Sequence, residues 1–267
     1  MSVSLAAQAD AINEAIQEDP PEVGEAAPTT VSLLRGIIDP ESGEWQQTAI
    51  VREMTGEDEE ELARLSNIEN LTYAAYTSAL LRRSVVSVGT QTLKDHPDVL
   101  DNLIIGDRDL LFLGVVKATY GNIRDFSVTC GHCAKSNEVQ VNLDKDFPIT
   151  PAKASLTEPR VVTFKDGTEV KVKYLTGKDA QIIAEASDNP AEQNTAIVAR
   201  AVVWDDDRSE KIKSQWSKGL SLADRKLVIN TVLEDQPGPT LEEVEAPCGH
   251  CGEKITMLLD WASLLFG

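Results

Sequence analysis

The chain has 267 residues, 42% of them apolar and 26% charged, and 44 acidic residues against 25 basic ones give a formal net charge of −19. Such a composition supports a sizeable core and about two domains, and its sign argues against broad nucleic-acid binding, which needs Lys and Arg to displace counterions. No apolar run approaches the roughly 18 residues of a membrane-spanning helix, and the start lacks the basic and apolar regions of a secretory signal, so the expectation is a chain built for the cytoplasm, or for assembly there.

In chain order, residues 1–30 carry six acidic residues and no basic one, with Pro20, Pro21 and Pro28. They read as an acidic arm, partly disordered when free, in which Leu5, Ala9, Ile12 and Ile16 would line one face of a short helix and contact a partner. A hairpin is expected from strands near 31–34 and 48–52 around a loop at 39–43, followed by Thr55 and Asp58 in the form of a capping box. Helices are expected over 56–67 and 71–86 and from Asp107, the last carrying Leu110, Leu111, Leu113, Val115 and Val116. A strand then leads to Cys130-Gly131-His132-Cys133 and a strand returns over 139–143. The second half begins with strands 161–164 and 169–174 around Asp166-Gly167, a strong hairpin signal. Thr176 and Asp179 open a helix over 177–187, further helices lie over 193–204 and from Asp224, and Cys248-Gly249-His250-Cys251 precedes a strand and a short apolar tail from Trp261 to Phe266.

The chain has no cysteine beyond Cys130, Cys133, Cys248 and Cys251. Paired C-x-x-C units in a cytosolic chain favour metal over disulfides, and four thiolates match a closed structural zinc shell. His132 and His250 are alternative ligands, or solvent-facing knuckle residues. Gly131, Gly249 and Gly252 suit tight knuckles. Cys-Gly-His-Cys is also a thiol–disulfide redox motif, but such a site needs its first cysteine at a helix N-terminus, and both pairs here are flanked by strand-like sequence. With 114 residues between Cys133 and Cys248, one shared zinc site would staple distant parts of the chain. His96 is the one histidine outside the pairs, so no histidine triad or metalloprotease site is assembled. The Asp107-Arg108 and Asp224-Arg225 pairs read as a helical carboxylate salt-bridged to its neighbouring guanidinium rather than as catalytic groups.

Internal similarity accounts for the cysteine spacing. Val51 to Asp58 resembles Val172 to Asp179 at an offset of 121, Arg83-Ser84-Val85-Val86 resembles Arg200-Ala201-Val202-Val203 at 117, Asp107-Arg108 resembles Asp224-Arg225 at 117, and the cysteine pairs are offset by 118. The expected fold is α+β: an internally duplicated hairpin–helices–zinc-knuckle unit, with the two halves joined by a shared four-cysteine zinc site. The domains are the arm (1–30), a first repeat unit (31–150) and a second (151–267).

The order of Val51-Arg52-Glu53-Met54-Thr55-Gly56, Ile105-Gly106-Asp107-Arg108-Asp109-Leu110-Leu111, Tyr120-Gly121 and the first Cys pair, then Leu175-Thr176-Gly177, Asp224-Arg225 and the second Cys pair, resembles the baseplate hub and hub-assembly chaperone family of T-even-like contractile-tailed phages and related injection systems. The resemblance covers about residues 31–266. Family members commonly carry Pro within the knuckle, where this chain has Gly131 and Gly249. The resemblance implies a non-enzymatic structural or assembly role in a phage contractile tail. Other baseplate and tail proteins would be its partners, and the assembled virion its location. A cytosolic thiol–disulfide oxidoreductase is the alternative, and a zinc-ribbon transcription adaptor a third that the charge disfavours.

Overall fold

A computed structural model describes residues 29–66, 72–234, 236–240, 243–257, 259 and 261–266. The acidic arm, with Leu5, Ala9, Ile12 and Ile16, lies outside the described residues. The structure mixes helix and strand, as expected from the alternating periodicities.

The first half opens with the antiparallel hairpin β1 (Thr29–Ile38) and β2 (Trp45–Val51). Helices α1 (Gly56–Ser66) and α2 (Tyr73–Ser84) follow. Then β3 (Val85–Val88) and β4 (Gln91–Thr92) complete a sheet of order β1-β2-β3-β4. The expected helix over 71–86 therefore stops at Ser84, where β-branched Val85 pairs with Val51 of β2 instead. A short helix α3 (Val99–Asn102) and the long α4 (Ile105–Tyr120) lead into the hairpin β5 (Ile123–Thr129) and β6 (Ser136–Asn142). A short strand β7 (Ile149–Thr150) reaches forward to pair with β10 (Gly238–Pro239).

The second half repeats the opening: hairpin β8 (Arg160–Thr163) and β9 (Glu169–Val172), then α5 (Gly177–Ala186) and α6 (Pro190–Ala201). Asn189 caps α6 and Pro190 sits in its first turn, so this helix starts and ends earlier than the expected 193–204. Helix α7 (Glu210–Gly219), which the sequence reading missed, precedes α8 (Leu222–Leu233). The hairpin β11 (Val244–Pro247) and β12 (Lys254–Met257) and helix α9 (Trp261–Phe266) end the described chain.

Two large apolar clusters form among the described residues. The larger joins β1–β3, α2 and α4 with Phe126, Val139 and Val141, and it also takes in Met257, Leu259, Leu264 and Leu265 from the far end of the chain. The smaller packs Val162, Phe164, Val172, Leu175, Val198, Val228 and Val232. Beside it Trp204 and Trp216 meet edge-on, with ring centroids 5.0 Å apart. The apolar tail thus docks in the core of the first half rather than that of the second.

Each half is organised around a buried carboxylate at the start of its first helix. Asp58, with 1% of its side chain exposed, accepts from Arg52 at 2.6 and 3.0 Å, from Arg83 Nε at 2.7 Å, and from the Thr55 amide and hydroxyl at 2.9 and 3.0 Å. Asp179, fully buried, accepts from Lys173 Nζ at 2.6 Å, from Arg200 Nε at 2.7 Å, and from the Thr176 amide and hydroxyl at 3.0 and 3.1 Å. Thr55 and Thr176 hydroxyls accept in return from the Asp58 and Asp179 amides, completing the capping boxes. A lone carboxylate in such a place would be costly; here two cations and a helix N-terminus compensate it.

A third carboxylate corrects the sequence reading. Asp107 does not pair with Arg108. It accepts amide hydrogen bonds from Leu34 (2.5 Å), Arg35 (3.3 Å) and Gly36 (2.8 Å). These amides are freed by a bulge: the β1–β2 register runs from Ser32–Thr48 to Ile37–Gln46, leaving β1 with the surplus residues. Gly36 permits the bulge, with φ of +70° and a position where a Cβ would stand 1.9 Å from the Gln46 carbonyl oxygen. Arg108 instead donates to the Leu100 carbonyl (2.9 Å) and to Ser78 Oγ (2.7 Å). In the second half Asp224 accepts from the Lys165 amide (3.1 Å), and Arg225 donates to Thr195 Oγ1 (2.8 Å) and the Ala191 carbonyl (3.2 Å). The salt bridge expected within each Asp-Arg pair does not form; each residue ties its helix to a different element.

These groups fix the pH response. Burial alone would raise Asp58 and Asp179. Arg52, Thr55 and Arg83 nevertheless hold the first below the usual carboxylate range, and Lys173, Thr176 and Arg200 so hold the second. Their stabilisation is complete above an unfolded carboxylate pKa of about 4 and is lost as pH falls through their depressed folded values. Half-buried Asp109 acts oppositely: burial, opposed in part by Arg108, pushes it up to about 7, so it costs stability progressively from about pH 4 to about pH 7. Denaturant titrations should therefore show greatest stability between about pH 4 and 5, where Asp58 and Asp179 have gained most of their stabilisation and Asp109 has cost little, and a decline from there to about pH 7. Asp109→Asn should raise stability at pH 8 and leave pH 4 unchanged. Asp58→Ala or Asp179→Ala should cost about 2–3 kcal/mol at neutral pH, the low end for a broken buried pair, because Arg52 and Lys173 are over a third exposed and can rehydrate.

Candidate metal centre

Both cysteine pairs sit at the tips of β-hairpins. Cys130 and Cys133 lie in the turn between β5 and β6, and Cys248 and Cys251 in the turn between β11 and β12. The two turns are built alike. The Cys130 amide donates to the Lys135 carbonyl and the Ala134 amide to the Cys130 carbonyl, each at 2.9 Å. The Cys248 amide donates to the Glu253 carbonyl at 2.7 Å and the Gly252 amide to the Cys248 carbonyl at 2.9 Å. Each knuckle closes through one residue in the left-handed region: Gly252 at φ +76°, and Ala134 at φ +56°, the one non-glycine with positive φ among the described residues. The glycine freedom expected at Gly131 and Gly249 is not used, since neither has positive φ.

Tertiary packing brings the tips together. Cys130 Sγ lies 3.8 Å from Cys251 Sγ, and Cys133 Sγ lies 3.7 Å from Cys248 Sγ. All four sulfurs fall within 4.8 Å of one another. A disulfide would need about 2.05 Å, so these are free thiols. Four sulfurs at about 2.3 Å from a central ion stand about 3.8 Å apart along the edges of their tetrahedron, which is the spacing of the Cys130–Cys251 and Cys133–Cys248 pairs. The group could hold a metal ion. Cys130 and Cys248 are buried with Ile255, and Val128 packs against them. The Gly249 amide donates to Asn137 Oδ1 at 3.0 Å, binding one knuckle to the other. Asn137 and Ala134 were missed by the sequence reading; the length equality between 130–135 and 248–253 is the signal that marks Ala134, and none marks Asn137.

The electrostatics fit a cation. A hydrogen bond from the His250 amide draws the Cys248 thiol down to about 6. The Glu253 amide favours a thiolate at Cys251 too, yet desolvation and the neighbouring thiols of Cys248, Cys133 and Cys130 push it up to about 12. The cluster supports one negative charge and resists the next, and a dication at its centre would lift that resistance. His132 and His250 are exposed. Neither pair opens a helix, so the helix-terminal thiolate of a redox site is missing from this arrangement. Among the described residues no other group of His, Cys, Asp or Glu side chains is assembled for a metal, and no helix is long and apolar enough to cross a membrane.

Comparison with curated proteins and with solved structures gives no significant match. A family model does match, described as T4 bacteriophage base plate protein, and it spans residues 42–266. That stretch begins after β1 and contains β2 and the helices of the first half, the hairpin β8–β9 and helices of the second, both buried carboxylate networks and both knuckles. On this evidence the chain belongs to the T4 bacteriophage base plate protein family.

Proposed function

We propose that this protein is a non-catalytic subunit or assembly factor of a contractile-tail baseplate, at or beside its hub, stapled by one structural zinc ion. The observation that carries the reading is the family match over 42–266, which takes in all four cysteines. The zinc assignment rests on the all-thiolate donor set and on two sulfur–sulfur distances that match tetrahedral edges. Cys130, Cys133, Cys248 and Cys251 would hold the ion, which would supply folding energy alone. Nothing in the site favours thiol–disulfide exchange. Partners would be other tail proteins, with assembly in the host cytoplasm and the virion tail as destination. The arm at 1–30 is proposed to contact one of them through Leu5, Ala9, Ile12 and Ile16.

The same reading includes duplication of one unit, as 31–150 and 151–267. Support comes from bonds that recur at matching positions. Arg52, Asp58 and Arg83 correspond to Lys173, Asp179 and Arg200. The Arg52 amide donates to the Ser84 carbonyl as the Lys173 amide does to the Ala201 carbonyl, both at 2.8 Å. Val51 pairs with Val85 as Val172 does with Val202. Arg108 on Ser78 corresponds to Arg225 on Thr195. Such buried, directional bonds are poor candidates for coincidence, because each needs a specific residue at both ends.

Metal analysis of protein prepared without chelator should give one zinc per chain; two, or none with four freely titrating thiols, would end the single-site reading. Closing a loop of this length with a cross-link constrains the unfolded chain by about 4–5 kcal/mol in the disulfide analogue, a large share of a typical stability of about 5–15 kcal/mol. Cys248→Ser with Cys251→Ser should therefore lower stability and abolish tail formation together. Removing residues 1–28, ahead of β1, should leave fold and zinc content intact but weaken baseplate assembly. Mass spectrometry of purified virions separates the two roles: a subunit stays in the particle and a chaperone does not. Normal, infective tails formed without the protein would defeat both.

A further inference from the structure

The contact between the two units runs in one direction. The start of α4 is seated on the start of α5: the Gly177 amide donates to the Leu103 carbonyl (2.9 Å), the Ile105 amide donates to the Leu175 carbonyl (3.1 Å), and Ile104 bridges to Thr176. Arg108 lies across Gly177, so close that a Cβ there would stand 2.5 Å from its Nη1. Leu103, Ile104 and Leu175 are all at most 2% exposed. The knuckles, by contrast, meet reciprocally, Cys130 with Cys251 and Cys133 with Cys248. A reciprocal contact closes on itself, whereas a one-directional contact leaves its complementary surfaces open at both ends.

Those open surfaces can be named, given the unit equivalence proposed above. The counterparts of Leu103, Ile104, Ile105 and Arg108 are Leu220, Ser221, Leu222 and Arg225. The counterparts of Leu175, Thr176 and Gly177 are Met54, Thr55 and Gly56. Leu222 is 81% exposed. Thr55 and Gly56 are exposed, and a Cβ on Gly56 would meet nothing within 4 Å. Arg225 spends its donors inside its own unit, as Arg108 does, which leaves its outer surface for a glycine to lie on. Helix α8 is apolar on more than one side, yet among its residues Val228 and Val232 alone are buried. Leu222 and Leu233, three turns apart on one side, stand 81% and 47% exposed. A helix apolar on all sides is normally buried.

Charge at matching register positions points the same way. Within the chain, Asp109 follows the seated Arg108 and Lys178 follows Gly177. Their counterparts are Lys226 and Glu57, so the sign reverses at both positions and the two segments proposed to meet between chains carry opposite charges.

We propose that a second copy of this chain docks its 54–56 segment on the start of α8, around Leu220 and Leu222, repeating between chains the contact that the units make within one. The product is a head-to-tail ring or a short filament, according to how the rotation closes. With a net charge of −19 per chain, copies repel at long range, so the association strengthens as salt screens that repulsion.

Sedimentation of the full chain, from micromolar to several hundred micromolar, at low and at high salt, tests this. Leu222→Asp blocks one surface and Gly56→Trp the other; both sites face open space, and unchanged melting and zinc content would certify the folds. The wild type should self-associate. Each variant alone should stay monomeric, with its dissociation constant raised at least about tenfold, as expected for loss of a central contact. An equimolar mixture of the two variants should give a dimer that grows no further, since one intact surface of each kind remains. A wild type that stays monomeric throughout, association that survives both variants, or a mixture that stays monomeric would overturn the proposal. An experimental structure tests the unit equivalence separately: halves that superpose in a monomeric chain would remove the docking alone, and halves that do not would remove the equivalence as well.

Discussion

Two knuckles with 114 residues between them can meet only if everything between them folds to a fixed length and direction. That constraint organises the molecule. The hairpins β5–β6 and β11–β12 converge at four sulfurs, and the second hairpin then delivers Met257 and Leu259 into the first core, with Leu264 and Leu265 from α9 behind them. After α8 the chain offers little that could hold itself in place: a two-residue strand at Gly238–Pro239 and short hairpin strands. It is anchored by the pairing of β10 with β7, by apolar side chains in the core of the first half and by the knuckle at the thiols. An ion at the thiols would act on a stretch of short strands, which hold fewer hydrogen bonds of their own than the helical parts.

The buried carboxylates do complementary work within each half. Asp58 and Asp179 each tie a helix start to the strand before it and to the helix after it, through one capping threonine and two cations. Asp107 ties α4 to the bulge in β1. In a chain with so much acidic surface, these few carboxylates differ from the rest because they are removed from water and fully bonded. Their role is register and direction. A buried charge tolerates few alternative partners, so it fixes which elements meet more sharply than apolar contact does.

The halves are alike in their hairpins, capped helices and knuckles, and unlike in the middle. Where the first half has β3, β4 and α3, the second has α7 with its Trp216 packed on Trp204. The likeness sets up the four-sulfur cluster, since two equal knuckles are what a symmetric shell requires. The contact between the starts of α4 and α5 runs in one direction, whereas the knuckles meet reciprocally.

Much of this was legible in the residues. Val51 to Asp58 and Val172 to Asp179 announced their capping boxes, Asp166-Gly167 its hairpin, and the cysteine pairs their knuckles, because each depends on local backbone geometry that a few neighbouring residues impose. The family followed from the order of those same motifs. What the residues could not reveal is what lies across space from them. Asp107 sits beside Arg108 in sequence but bonds to amides more than seventy residues earlier, because a strand bulge happens to face its helix. The apolar tail was evident, but not that its leucines complete the core of the first half. Nor could spacing alone bring Cys130 to Cys251 and Cys133 to Cys248, or find Asn137 between them. Local chemistry determined the parts; long-range packing, in which every element competes for the same buried volume, decided which parts touch.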